Sequence, residues 1–468
     1  MNEKIRICII GAGIAGLVAA KELLKSGKNL EIDILEAADY CGGRILTHTA
    51  PNGDIIEHGA NYVHDLHKNN PLYNYCESDN PLFLTKTIGF DEAEILTDKF
   101  HIRNDEFRDF CNKIKNLEDQ LILDAEFNSL PNGYDKALFI SKKYKDSLNS
   151  HHKNEEVIDL MLNTFFMYKS EWMDLEICRD HFIYTDTYGH TKPYDVIVYN
   201  GYDKIIKQTL DSIPSSKIQN NSKVIAIHKA NNGINVDYLY NGKKVTWSGD
   251  FVINTVSLGV LKSGAIKFFP ELSKEKQAAI TNLEMVKTRS MSLTFRRDSF
   301  EEAMNDVEKP FCKPYIALNT SEVEMFIINL NFFHLPQIRS TSLRIFFPNK
   351  YAKFLDKYNE GELKSYVVRY LSKHYKSLNE ENLIDYSYKN WNKEELFCGA
   401  YSCLGKNGND STWVDYAKSE YDGRLLMAGE ACIVIGEPPH IPNRVHISTV
   451  DGAMLSAIAA ANNILKTI

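Results

Sequence analysis

A run of β-rich apolar residues, Ile5 to Ile10, passes without a spacer into Gly11-Ala12-Gly13-Ile14-Ala15-Gly16. A helical stretch follows from Leu17 to Lys25 and closes at Ser26-Gly27, and a second strand, Leu30 to Leu35, stops at Glu36. Strand, tight glycine turn, helix and strand in this order form a βαβ unit. Gly11, Gly13 and Gly16 let the backbone approach a pyrophosphate held at the helix N-terminus. Glu36 lies about 20 residues past the turn, where an acid holds a ribose 2′-OH. A dinucleotide site is therefore expected here.

Arg44 follows Gly42-Gly43, eight residues after Glu36. A guanidinium there reaches a diphosphate with paired N–H groups, which points to FAD rather than NAD. No second GxGxxG unit is present for NAD(P)H, so the substrate itself is expected to reduce the flavin.

At 468 residues the chain is long enough for about three domains by length alone, and two is as reasonable. Lys and Arg total 54 against 62 Asp and Glu, a net charge of -8 that argues against a duplex nucleic-acid binder and suits a cationic ligand. The nine cysteines form no CxxC pair, so neither a disulfide framework nor a structural zinc is expected, and a reducing, cytoplasmic setting is. The first apolar run is too short for a signal-peptide core. No stretch approaches the ~18–20 apolar residues of a membrane span.

Residues 80–214 turn rich in Lys, Asp, Glu and Asn, with helical spacing over Phe107–Leu123 and Val157–Phe166. They read as a helical insert with solvated faces. Val224 to Val256 reads as short strands, with Asn232-Gly233 and Asn241-Gly242 placed for type I′ turns. Helices are expected over Lys274–Leu283, Lys350–Lys373 and Val450–Leu465, and strands over Ser290–Arg296, Val323–Leu330, Ser342–Phe347 and the start of Gly423–Ala431.

These residues together resemble the flavin-containing amine oxidases: monoamine oxidases, polyamine and spermine oxidases, and flavin-dependent histone demethylases. The resemblance rests on Gly11 to Gly16, Leu35-Glu36-Ala37, Gly42-Gly43-Arg44 and Gly59-Ala60-Asn61-Tyr62-Val63-His64. It continues through Asn200-Gly201-Tyr202, Asn254 to Lys262, Trp391, Gly399-Ala400-Tyr401-Ser402, Met427-Ala428-Gly429-Glu430-Ala431 and Ser448 to Ser456. It implies an α/β fold, with a Rossmann-like FAD-binding domain of the GR2 type interleaved with an α+β substrate-binding domain. The FAD domain is expected from residues 1–80, 196–288 and 390–468, and the substrate domain from 81–195 and 289–389. Cofactor contacts are implied for Gly11, Gly13, Ala15, Gly16, Glu36, Gly43, Arg44, Asn61, Tyr62, Trp391, Gly429 and Glu430, and for the Val224 backbone at the adenine. Thr449 and Val450 would begin a helix whose N-terminal amides approach the flavin, where a helix N-terminus stabilises negative charge. On the substrate side, Tyr401 matches one wall of an aromatic cage. Thr449 replaces the second cage aromatic, as in animal polyamine and spermine oxidases, and His64 takes the place of a pocket histidine in the same enzymes.

Several positions depart from the family pattern. The lysine that holds a water at the flavin falls at Ser290, with Lys287 and Arg289 expected on the opposite strand face. The common C-terminal tyrosine is His446, the usual histidine before Gly452 is Asp451, and about ten extra residues surround Gly436-Glu437-Pro438-Pro439. The tethering cysteine of monoamine oxidases falls at Ala400, so FAD is expected to be non-covalent. The implied chemistry is oxidation of an amine C–N bond, with O2 reoxidising the flavin. His64 and a carboxylate, Asp451 or Glu437, would hold the distal ammonium groups of a polyamine. An L-amino-acid or monoamine oxidase shares these motifs, though no pocket arginine for a carboxylate stands out. A low-turnover flavoprotein acting by partner binding would fit the loss at Ser290. A histone demethylase is not expected, since no coiled-coil insert or basic tail is seen.

Overall fold

The computed structural model describes residues 4–64, 70–76, 84–86, 90–121, 123–130, 133–147, 155–169, 196–307, 310–333, 339–405, 407–432 and 447–468. Glu437 and His446 lie outside the described residues.

The opening run forms the strand Ile5–Ile10 at the centre of a five-stranded parallel sheet. Its neighbours are Leu30–Leu35 and Phe251–Asn254, and Ile218–Gln219 and Leu425–Met427 flank those. The sheet thus draws on three distant parts of the chain, in a Rossmann-like α/β arrangement. Both of its faces are covered, which is why the first strand is apolar on both sides over its buried part, Ile7 to Ile10. Ile7 and Ile9 pack with the helices Ile14–Lys25 and Val450–Thr467. Cys8, Ile10, Leu35 and Val252 face Val224, Ile227, Val236 and Trp247 of an antiparallel layer. Trp247 satisfies its buried indole by donating to Asp33 at 2.8 Å.

That layer corrects one turn. Asn241 and Gly242 sit between the paired residues Tyr240 and Lys243 with φ of 48° and 79°, as a type I′ turn requires. The preceding hairpin closes through Asn231-Asn232, between Ala230 and Gly233, and neither Asn232 nor Gly233 takes a positive φ. Gly233 serves close strand approach instead: a Cβ there would lie 2.5 Å from the Gly249 carbonyl oxygen.

A second, seven-stranded sheet has Arg289–Phe295 between Leu383–Asn390 and Ser342–Phe347, then Glu324–Asn329, Tyr315–Asn319, Glu94–Thr97 and His101–Ile102. One face packs Met291, Leu293, Ile316, Met325, Ile327, Leu343 and Ile345 against the helix Glu360–His374. At one end of the other face, Tyr315, Ala317, Phe326 and Ile328 meet the helices Asn104–Leu121 and Glu155–Lys169. The helical pattern expected unbroken from Lys350 to Lys373 is divided. A short helix, Ala352–Leu355, ends before Asn359, whose side chain starts Glu360–His374 in a capping box with Glu362. The first helix also begins at Ile14 rather than Leu17, directly on the glycine turn. Among the described residues no helix is long and apolar enough to cross a membrane.

Candidate active site

The glycine turn is shaped by contacts that admit no side chain. Gly11 has φ of 100°, and a Cβ on Gly16 would lie 1.9 Å from the Gly11 carbonyl oxygen. Gly13 is the opposite case. It is the helix N-cap, has no side-chain capping bond, and a Cβ there would meet nothing within 4 Å. Gly43, at φ of 61°, comes so near that its Cβ would lie 3.4 Å from the Gly13 Cα. Bare backbone and an uncapped helix start, with Ala15 in the first turn, thus border open space, as a pyrophosphate needs.

Glu36 closes the far side. Its carboxylate accepts N–H bonds from Ala12 at 2.6 Å and Ala38 at 2.8 Å. Burial raises its pKa, and those backbone bonds oppose the rise. Its remaining lone pairs suit ribose hydroxyls. Ser222 N–H donates to the Glu36 carbonyl at 2.7 Å, which brings the strand Ser222–Ala230, with buried Val224, against the same end.

Arg44 and Glu430 join across the fold. Arg44 Nη1 donates to Glu430 Oε1 and to the Ala400 carbonyl, both at 2.8 Å. Glu430 Oε2 accepts from Ser402 N–H at 3.1 Å and Ser402 Oγ at 2.5 Å. Tyr401 lies between these two anchored residues, and its own carbonyl accepts from Val286 N–H at 2.8 Å. The pair therefore ties the charges expected on the cofactor side to the residue expected to wall the substrate.

Gly429 has φ of 132°, and its N–H is held by Ser456 Oγ at 3.0 Å. Ser448 N–H donates to the Glu430 carbonyl at 2.8 Å, which leads the chain into Thr449. Thr449 caps the helix Val450–Thr467 by accepting from Gly452 N–H at 3.0 Å. Replacing Thr449 with alanine is expected to cost about 1 kcal/mol of stability through the lost cap, measured by denaturant unfolding, with valine giving a similar loss. Asp451 is 1% exposed in the first turn, and its charge adds to burial in raising the pKa of Tyr202. That placement suits an acid at a helix start rather than a contact to substrate ammonium.

The loop carrying Gly59 packs beneath these groups. A Cβ on Gly59 would lie 1.7 Å from the Arg44 carbonyl oxygen and 3.4 Å from the Trp391 ring. Trp391 is buried and donates its indole N–H to the His58 carbonyl at 3.0 Å. Asn61 is buried, with its carbonyl on Val198 N–H at 3.1 Å. Tyr62 and His64 stack at 5.9 Å, and Asn70 Nδ2 holds the His64 carbonyl at 3.0 Å.

Ser290 is buried, and its Oγ meets His58 Nδ1 at 3.3 Å. Arg289 turns to the opposite face and pairs with Asp356 at 2.6 Å, while Lys287 is exposed. Two groups here escaped the sequence reading. Arg344 is 2% exposed, donates from Nη2 to the Gly59 carbonyl at 3.2 Å and stacks over Phe346 at 4.4 Å. Its Nε and Nη1 have no hydrogen-bond partner, and burial lowers its pKa to about 10. His58 is the other, and its one sequence signal is its place beside Gly59. Among the described residues no His, Cys, Asp and Glu grouping could hold a metal ion.

Glu57 and His58 give opposite pH signatures. Burial raises the Glu57 carboxyl from 4.5 to about 7, against bonds from Tyr202 N–H and Thr47 Oγ1. A raised folded-state pKa means stability is fully present below pH 4.5 and is lost as pH rises through 7. Burial, then Arg344, His48 and Lys389, lowers His58 from 6.5 to about 3. Its contribution is present above pH 6.5 and is lost as pH falls towards 3. In denaturant unfolding, Glu57→Gln is expected to remove the loss above pH 4.5, leaving only the acid-side decline.

The profile of the family described as flavin containing amine oxidoreductase matches residues 14–465. Probable polyamine oxidase 5 of Arabidopsis thaliana is 27% identical over all of this chain and 99% of its own length. Polyamine oxidase 4 of Oryza sativa subsp. japonica is 24% identical over 99% of this chain and 89% of its own. Lysine-specific histone demethylase 1 homolog 1 of Arabidopsis thaliana is 24% identical over 99% of this chain, which spans 52% of that relative.

Proposed function

The chain belongs to the flavin-containing amine oxidoreductases, and from that premise we propose that it oxidises the C–N bond of a polyamine-like amine, with O2 as final acceptor. FAD, held non-covalently, supplies the two-electron acceptor when bound. The balanced outcome is amine, O2 and water giving aldehyde, the released amine and H2O2.

The observation that carries this reading is the Arg44–Glu430 pair, whose two members hold Ala400 and Ser402 on either side of Tyr401. Arg44 and the bare Gly13 helix start would face the diphosphate, and Glu36 the ribose. The Thr449-capped helix would place its N-terminal amides at the ring system, where a fixed positive dipole favours the electron-rich form. Tyr401 would flank the amine, with His64 further out on the loop that it shares with Tyr62. The domain division expected from the sequence is part of this proposal. The names of the polyamine oxidase relatives and the net charge of -8 support a cationic substrate.

Arg344 favours a second reading, oxidation of an amino acid. A buried guanidinium with two unpartnered nitrogens is what a substrate carboxylate would satisfy. Peroxide assays with spermine, N-acetylspermine, and an amino acid beside its decarboxylated amine separate the two. The polyamine reading requires the highest kcat/KM for a polyamine. A preference for the amino acid, lost in Arg344→Gln, would establish the second reading instead.

A further inference from the structure

The second sheet presents an unusual surface behind Gly59. Ser290, Ser292 and Thr294 share one strand face, and their cross-strand partners on that face are Lys389, Ser387 and Asp385 on one side and Phe346, Arg344 and Ser342 on the other. At its far end the same face is apolar, with Tyr315, Ala317, Phe326 and Ile328. A polar seam is thus buried where an apolar face would pack at lower cost.

Two hydrogen-bonded groups make up the seam, one centred on His58 and the other the His48–Asp385 pair at its rim. His58 Nδ1 meets Ser290 Oγ at 3.3 Å, His58 Nε2 meets Ser387 Oγ at 2.6 Å, and Ser387 Oγ meets Ser292 Oγ at 2.5 Å. The His48 ring lies 6.1 Å from that of His58, and its Nε2 is 2.7 Å from Asp385 Oδ2. The His48 side chain is 32% exposed, so this pair opens to solvent. The inner end abuts the flavin-side wall, where Trp391 donates to the His58 carbonyl and Gly59 packs on Arg44.

We propose that this seam carries a proton between solvent and the wall of the flavin site, entering at His48–Asp385 and leaving at Ser290. Each serine hydroxyl can donate and accept, and a neutral imidazole accepts at one nitrogen while it donates from the other. A flavin bound beside Ser290 would take the Ser290 proton as it is reduced; His58 Nδ1 would replace that proton, Ser387 would replace the one His58 passed on, and solvent reaching the seam beside the exposed His48–Asp385 pair would replace that of Ser387. One proton moves inward, and every group keeps its proton count. Arg344 from the strand Ser342–Phe347, Lys389 and Asp385 from Leu383–Asn390, His48 from Thr47–Thr49 and the adjacent Glu57 are the charged or titratable groups around His58. Arg344, His48 and Lys389 disfavour its cation, which selects transfer through the neutral ring.

Amine turnover is not needed for the test, so it stands apart from the substrate reading. Flavin-loaded protein is reduced by a light-generated electron donor, and proton uptake is followed with an indicator dye beside the visible flavin band. In the wild type, uptake is expected to keep pace with bleaching. His58→Gln and His48→Gln are each expected to slow uptake at least about tenfold, the low end of what a positioned proton carrier supplies. His48→Gln, at the exposed end, should do so with unchanged flavin absorbance and thermal stability. Wild-type uptake rates in both variants would overturn the proposal, whatever happens to their stability.

Discussion

Gly16→Ala is expected to yield protein without flavin. The added Cβ would lie 1.9 Å from the Gly11 carbonyl oxygen and 3.2 Å from Ile9 Cγ2. The first of these is a backbone atom and cannot swing aside. Relief requires the helix Ile14–Lys25 to move off the central strand, which would break its packing with Ile7, Ile9 and the C-terminal helix. Ordinary overpacking costs about 1–3 kcal/mol, and a clash against backbone in the sheet's central turn should exceed that. The ratio of flavin to protein absorbance after purification reads the effect. Gly13→Ala is the control, since its Cβ meets no protein atom. That variant should fold normally and lose flavin affinity only, because its methyl group would occupy the space left for the diphosphate.

Glu430→Ala is expected to be nearly as damaging, by a different route. It removes the ionic partner of Arg44 and the acceptor for both Ser402 bonds. Breaking a buried pair by deleting one member costs about 3–5 kcal/mol, and the low end applies because Arg44 keeps 21% of its side chain exposed. If about 3 kcal/mol falls on cofactor binding, FAD affinity drops about 100-fold, at 1.4 kcal/mol per factor of ten. Titration of apoprotein with FAD, followed by flavin fluorescence, measures this. Glu430→Gln keeps an acceptor but loses the charge, and should fall between the alanine variant and the wild type.

The glycine turn and the acid of the proposed nucleotide end were legible in the sequence because their signals are local. Gly11, Gly13, Gly16 and Glu36 belong to one βαβ unit, and each was nominated by spacing along a short stretch of chain. Arg44 and Glu430 could each be nominated, but not their contact, since 386 residues separate them. His58, Ser290 and Ser387 meet from a loop and two strands that are remote in sequence, and no local pattern announces such a meeting. Arg344 sits within Ser-Leu-Arg-Ile-Phe-Phe, which reads as an ordinary strand. Only burial and its unpartnered nitrogens single it out. Asn232-Gly233 misled for a related reason. The glycine is needed by a neighbouring strand, and that is a tertiary demand which local turn rules do not contain.

The central claim is that an amine delivers electrons to FAD held by the glycine turn, Arg44, Glu430 and the helix that Thr449 begins. Anaerobic mixing of the purified yellow protein with spermine, N-acetylspermine, tyramine and an amino acid tests it most directly, with the visible flavin band as readout. At least one amine should bleach the band completely, and admitted O2 should restore it with one H2O2 formed per flavin. A band that stays unchanged with every amine, in protein fully loaded with FAD, would contradict the claim.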